Sequence, residues 1–174
     1  NNYLSAYGGV TCPQEFMLPT TYKVKDIEKG TLSVMAKPVS GEWIEDEFVG
    51  LKRLGIDKVV CLLEGFEQIE VGLGSEEELC IKNNIEYASF PIPDRGLPNT
   101  SLAKAFIGNL HEEICAGKHI VIHCRAGIGR TGIIAGGVLV ESGISAREAF
   151  SIISVARGVQ VPDTEEQENW LCSI

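Results

Sequence analysis

The stretch from Lys118 to Glu141 constrains the fold most. Lys118–His123 is a short apolar run of strand length, and Thr131–Glu141 is an apolar run of helical length. Only a short turn containing Gly127 and Gly129 separates them. A strand that feeds through a tight turn into an apolar helix is a βα unit. A helix with so little polar surface belongs in the centre of a domain.

The flanking segments read as further units of the same kind. Tyr22–Asp26 and Thr31–Ala36 are predicted strands around a Glu28-Lys29-Gly30 turn. Glu42–Leu54 has helical periodicity through Trp43, Ile44, Phe48, Leu51 and Leu54, and Gly55 closes it. Lys58–Leu63 is a Val-rich strand. Ser75, followed by Glu76, Glu77 and Glu78, reads as a capped helix start with acids in the first turn, and Asn83-Asn84 ends that helix. Ile85–Pro91 is the next strand, Pro93–Asn99 a loop, and Ser101–Cys115 a helix. Ser145–Arg157 opens on a Ser145/Glu148 capping box, and Thr164–Cys172 opens on Thr164 with Gln167 in the matching position. The expected fold is α/β, with a central, mostly parallel sheet of about five strands flanked by helices. Residues 1–21 are expected to form an irregular N-terminal segment, and residues 22–174 a single catalytic domain.

Charge and composition narrow the partners. Fifteen Lys and Arg against 24 Asp and Glu give a formal charge of −9, which argues against nucleic acid or an anionic membrane surface as a partner. The longest apolar run, Ile133–Val140, is far shorter than the ~20 residues of a membrane span. A cytoplasmic monomer is expected. Of the six cysteines, none forms a CxxC pair, which argues against zinc; no metal and no organic cofactor is implied. Cys61, Cys80 and Cys115 read as small core hydrophobes, while Cys12 and Cys172 lie near the termini. His111 and His119 are single histidines with no visible partners in the sequence, and solvated or core positions are expected for both.

In parallel sheets, ligands bind where strands end and helices begin. The turn His123-Cys124-Arg125-Ala126-Gly127-Ile128-Gly129-Arg130-Thr131 is such a place. Its glycines allow the sharp conformations that aim several backbone N–H groups at one spot, and the helix start adds its positive dipole end. Arg125 to Arg130 therefore form a candidate phosphate cradle. Cys124 sits at its base, where the same groups favour a nucleophilic thiolate. Arg130 can fork two hydrogen bonds onto phosphate oxygens. Thr131 is expected to offer its hydroxyl to the Cys124 sulfur, and His123 to orient the loop. A Walker-type nucleotide loop is excluded, because no Lys-Ser or Lys-Thr follows the last glycine.

His123-Cys124, five residues, then Arg130-Thr131 resembles the signature of cysteine-dependent protein phosphatases, tyrosine-specific and dual-specificity alike. Pro91-Ile92-Pro93-Asp94-Arg95-Gly96-Leu97-Pro98 is similar to the acid-loop segment of the phosphatases related to the one associated with cyclin-dependent kinase inhibitors. The Gly41–Glu64 segment and Thr164-x-x-Gln167 resemble the same group. The resemblance implies a general acid ahead of the cysteine, and Asp94, thirty residues upstream of Cys124 (124 − 94), fits that position. Asp163 also follows a proline but lies after the cysteine loop, where loop closure explains it. For Gln167, positioning of water and helix capping remain equal readings. Lys82–Tyr87 faintly resembles a phosphotyrosine-recognition loop but is expected to be a turn. The implied activity is hydrolysis of phosphotyrosine, and of phosphoserine or phosphothreonine, in a phosphorylated protein or peptide, through a phosphocysteine intermediate. A phosphoinositide or inositol-phosphate phosphatase and a phosphate-binding pseudophosphatase are the alternatives.

Overall fold

A computed structural model describes residues 18–174. Cys12, Pro13 and most of the irregular segment expected at the N-terminus lie outside the described residues; 18–21 carry no regular structure. Five strands form one sheet: β1 Tyr22–Ile27, β2 Gly30–Met35, β3 Lys58–Cys61, β4 Glu86–Ser89 and β5 His119–His123, in the order β1-β2-β5-β3-β4. β1 runs antiparallel to β2, and every other pairing is parallel. Among the described residues seven α-helices accompany it: α1 Ile44–Arg53, α2 Gly65–Glu70, α3 Glu76–Lys82, α4 Thr100–Cys115, α5 Gly129–Glu141, α6 Ala146–Arg157 and α7 Glu165–Ser173.

The register decides where a site can form. Met35 pairs with His123, His123 with Cys61, and Cys61 with Ser89. The C-terminal ends of β2, β5, β3 and β4 therefore lie side by side. β5 is the middle strand, so the turn that leaves it is flanked by the segments that leave its neighbours. The backbone extends this edge: Leu62 N–H donates to the His123 carbonyl, and Lys37 N–H to that of Arg125.

Helices cover both faces. α1 and α3 bury Phe48, Leu51, Leu79 and Cys80 against Val59 and Val121. On the other side α5 is buried from Gly129 to Leu139 and packs against α4, α6 and α7. Its near-uniform apolarity follows from that encirclement. Gly137 lets α4 approach, since a Cβ there would run into the Ile107 side chain.

The expected helix over Glu42–Leu54 starts as a 3-10 turn, Gly41–Trp43, and becomes α-helical at Ile44. Ser75 makes no side-chain cap to α3. Ser145 accepts from Glu148 N–H, but the reciprocal half of that capping box is not formed. The box at Thr164 and Gln167 is complete. Cys61 and Cys80 are core residues, whereas Cys115 is only half-buried and lies beside His111. His119 has a partner: its Nε2 lies 2.7 Å from Ser33 Oγ. α2 was not predicted at all, and it carries part of the site.

Two glycine substitutions separate packing from propensity. Gly108→Ala on α4 meets open space and should stabilise the domain by about 1 kcal/mol through helix propensity. Gly137→Ala adds the same methyl but should destabilise by about 1–3 kcal/mol. Urea unfolding of both variants checks the sign difference.

Candidate active site

The turn after β5 is built by hydrogen bonds on its outer side. His123 Nδ1 donates to the Cys124 carbonyl at 3.0 Å. Lys37 N–H donates to that of Arg125 at 3.1 Å. Arg157, in the last turn of α6, donates from Nη2 to the Ala126 carbonyl at 2.9 Å and from Nε to that of Gly127 at 3.2 Å. Its guanidinium also lies over the Tyr22 ring, 4.2 Å from the centroid. Four consecutive carbonyls are thus held outward. These peptides are trans, so the N–H groups of Arg125, Ala126, Gly127 and Ile128 project from the opposite edges of the same planes. None of the four has a backbone acceptor among the described residues. Gly127 makes the turn possible: its φ is +71°, and a Cβ would collide with the Met35 carbonyl at the end of β2.

Cys124 lies at the base of this row and is 3% exposed. Arg130, in the first turn of α5, is 2% exposed. Its guanidinium is fixed end-on by Glu67 of α2, with Nη1 to Oε2 at 2.7 Å and Nη2 to Oε1 at 3.1 Å. Nη1 also donates to the Ile92 carbonyl at 3.0 Å. Asp94 approaches from the remaining side, with Oδ1 3.2 Å from Nη2 and a side chain 64% exposed. Burial works against the Arg130 cation, but Glu67, Cys124 and Asp94 outweigh it and hold the guanidinium charged. For Glu67, burial pushes the carboxyl up. The hydrogen bonds from Arg130 and from Glu64 N–H prevail and hold it below the usual carboxylate range.

Asp94 and Arg95 form the centre of a turn in which Gly96 N–H donates to the Pro93 carbonyl. Gln167 reaches this turn. Its Oε1 accepts from the N–H groups of Asp163 and Thr164, and its Nε2 donates to the Gly96 carbonyl at 3.4 Å. The same Oε1 and the Asp163 carboxylate pack against Gly129. Gln167 therefore caps α7 and ties the Asp94 turn to the start of α5. Thr131 Oγ1 is buried with no hydrogen-bond partner among the described residues, so the expected bond to the Cys124 sulfur is not formed.

Two site residues escaped the sequence reading. Glu67 sits on a six-residue helix whose N-cap is Glu64 rather than Ser or Thr. The Glu64-x-x-Glu67 spacing, a capping box completed by two glutamates, is the signal that marks it. Arg157 entered the sequence reading only as the last residue of the Ser145–Arg157 helix.

Residues 22–169 match the family described as "Swiss Army Knife protein, DSP-PTPase phosphatase domain". The chain belongs to this family. Its members are cysteine-based protein tyrosine and dual-specificity phosphatases, as the expected resemblance implied. The phosphatase fold agrees. The crystal structure of kinase associated phosphatase with its catalytic-site cysteine changed to serine superposes with a TM-score of 0.80 at 20% identity, covering 89% of this chain and 93% of that one. Tk-PTP in its active form gives 0.69 at 27% identity, covering 87% and 95%. The tyrosine-protein phosphatase CDC14 of Saccharomyces cerevisiae is 32% identical over 88 residues, which is 50% of this chain and 16% of that relative. The Arabidopsis thaliana protein named as a phosphatidylinositol 3,4,5-trisphosphate 3-phosphatase and protein-tyrosine-phosphatase, PTEN1, is 35% identical over 80 residues, 42% of this chain and 19% of that one. The chain thus spans less than a fifth of the length of these two relatives. Among the described residues of this phosphatase domain, no helix is long and apolar enough to cross a membrane.

The Glu67–Arg130 pair predicts a pH signature. A carboxyl held below its ordinary value near 4.5 stabilises the fold above that pH, and the contribution is lost as pH falls through the lowered value. Glu67→Gln should therefore cost about 1–3 kcal/mol at pH 7. Thermal unfolding should show the gap to the unsubstituted protein closing progressively below about pH 4.5; a pH-independent gap would refute the charge-based account.

Proposed function

We propose that the domain hydrolyses phosphotyrosine in proteins through a phosphocysteine intermediate, with phosphoserine and phosphothreonine as the further substrates to test. The observation that carries this reading is the row of outward-bonded carbonyls above Cys124. It leaves four consecutive amide donors for an anion beside the nucleophile and a cationic guanidinium.

In the proposed sequence, the phosphoryl oxygens accept hydrogen bonds from the amides of Arg125, Ala126, Gly127 and Ile128, with Gly129 opening the helix whose dipole faces them. Arg130 supplies its side-on edge, Nε–H and the Nη2–H that now faces Asp94. The Cys124 thiolate attacks phosphorus, an S–P bond forms and the P–O bond to the leaving group breaks. Asp94 gives its proton to the departing oxygen. Asp94, now a carboxylate, takes a proton from water. The water oxygen attacks phosphorus, the S–P bond breaks, and inorganic phosphate and the thiolate are released. The uncommitted Thr131 hydroxyl is available to stabilise sulfur in that second step. His123 orients the loop through the Cys124 carbonyl and moves no proton.

A phosphoinositide or inositol-phosphate substrate is the second reading, prompted by the lipid activity in the printed name of the Arabidopsis relative. A polyanionic headgroup needs spare cations. The additional cation of the loop, Arg125, is already paired with Glu70 at 3.0 Å and lies 3.6 Å from Glu67. This favours the protein substrate. Faster turnover of a soluble phosphoinositide than of a phosphotyrosyl peptide would overturn it.

Cys124→Ser should bind phosphate and lose turnover, and a phosphoenzyme trapped on any other residue would sink the mechanism. The same result separates the enzyme from a phosphate-binding pseudophosphatase. Asp94→Ala should lower turnover of phosphotyrosyl peptide by about 10²–10⁴. That loss should shrink for an aryl phosphate whose leaving group departs unaided. Asp163→Ala should change either rate by less than about tenfold, despite its position against Gly129. A leaving-group-dependent defect in Asp163→Ala, absent from Asp94→Ala, would exchange their roles.

A further inference from the structure

Behind the nucleophile lies a buried polar cluster that the proposed steps do not use. His123 on β5 and Glu76 on α3 are both fully buried. His123 Nε2 lies 2.6 Å from Glu76 Oε1, a hydrogen-bond distance. The other carboxylate oxygen, Oε2, is buried without a hydrogen-bond partner among the described residues. Cys61 on β3 brings its sulfur to within 4.8 Å of both groups. Cys80, on the same helix as Glu76, and Tyr87 on β4 complete the titratable surroundings; burial, together with the Glu76 charge among other neighbours, pushes both upward.

The two ring nitrogens of His123 face different acceptors. The Cys124 carbonyl can only accept, so Nδ1 must carry a hydrogen. Nε2 faces a carboxylate, which also accepts unless it is protonated. We propose that Glu76 is a positioning residue that keeps His123 doubly protonated, so that a cationic ring holds the Cys124 carbonyl and sets the pH range over which Cys124 reacts. The inference rests on reading Cys124 as the nucleophile. Burial disfavours the imidazolium, but the Glu76 carboxylate and Cys61 beside it raise His123 well above the ordinary imidazole value. A group raised in this way stays charged through neutral pH, and its stabilisation is lost only as pH rises through the raised value.

Glu76→Gln tests this with little change of shape. A glutamine N–H can donate to a neutral Nε2, while Nδ1–H stays on the Cys124 carbonyl. The readouts do not depend on turnover. Alkylation of Cys124 by iodoacetamide is followed against pH in the full chain, with Cys124→Ser as the blank. In Glu76→Gln the alkylation profile should move to higher pH by about half to one unit, a 3- to 10-fold slower reaction on its rising limb. Superimposed profiles would overturn the proposal. Nitrogen-15 spectra of the histidine ring in the unsubstituted protein at pH 7.5 give an independent answer, whether or not the variant folds. Two N–H-type signals for His123 are expected; one unprotonated nitrogen would overturn it. Failure of the phosphocysteine reading would leave both measurements intact.

Discussion

A peptide plane carries its carbonyl and its N–H on opposite edges, so fixing one fixes the other. At the end of β5 this constraint acts four times in succession. The donors that hold the four carbonyls come from different places: the ring of His123, the backbone after β2, and the guanidinium of Arg157 on α6. The parallel register brings the first two alongside one another, and the packing of α6 near β1 supplies the third. The sheet thus organises the site through carbonyls on the outer side of the turn.

The same economy governs the charges. Arg130 and Glu67 are both buried, and each would be costly there without the other. Their fork leaves one edge of the guanidinium outside the ion pair. In the structure that edge faces the carboxylate of Asp94. The proposed acid and the proposed phosphate clamp are therefore in contact, with Asp94 on a turn that Gln167 anchors from α7.

What was legible in the sequence follows from the range of the interactions. The strands and most helices announce themselves by local periodicity and caps, and the Cys124–Thr131 turn by the density of special residues in one loop. The unread parts are pairings between distant residues. Arg130 and Glu67 are 63 residues apart, His123 and Glu76 47, and Arg157 and Ala126 31. No local pattern encodes them. Glu76 is instructive: in the sequence it is one of three acids in a helix first turn, yet it is buried on the His123 ring. Thr131 shows the reverse, since the hydroxyl expected on the Cys124 sulfur has no partner among the described residues.

The framing of Arg130 also has an entropic side. A free arginine side chain samples many rotamers, worth roughly 2 kcal/mol. Here Glu67 and the Ile92 carbonyl have already selected one. That loss of freedom is incurred when the chain folds, together with the burial that compensates it. In the proposed mechanism an arriving anion would meet a guanidinium that has no further disorder to surrender, and more of the free energy of the encounter would remain for binding.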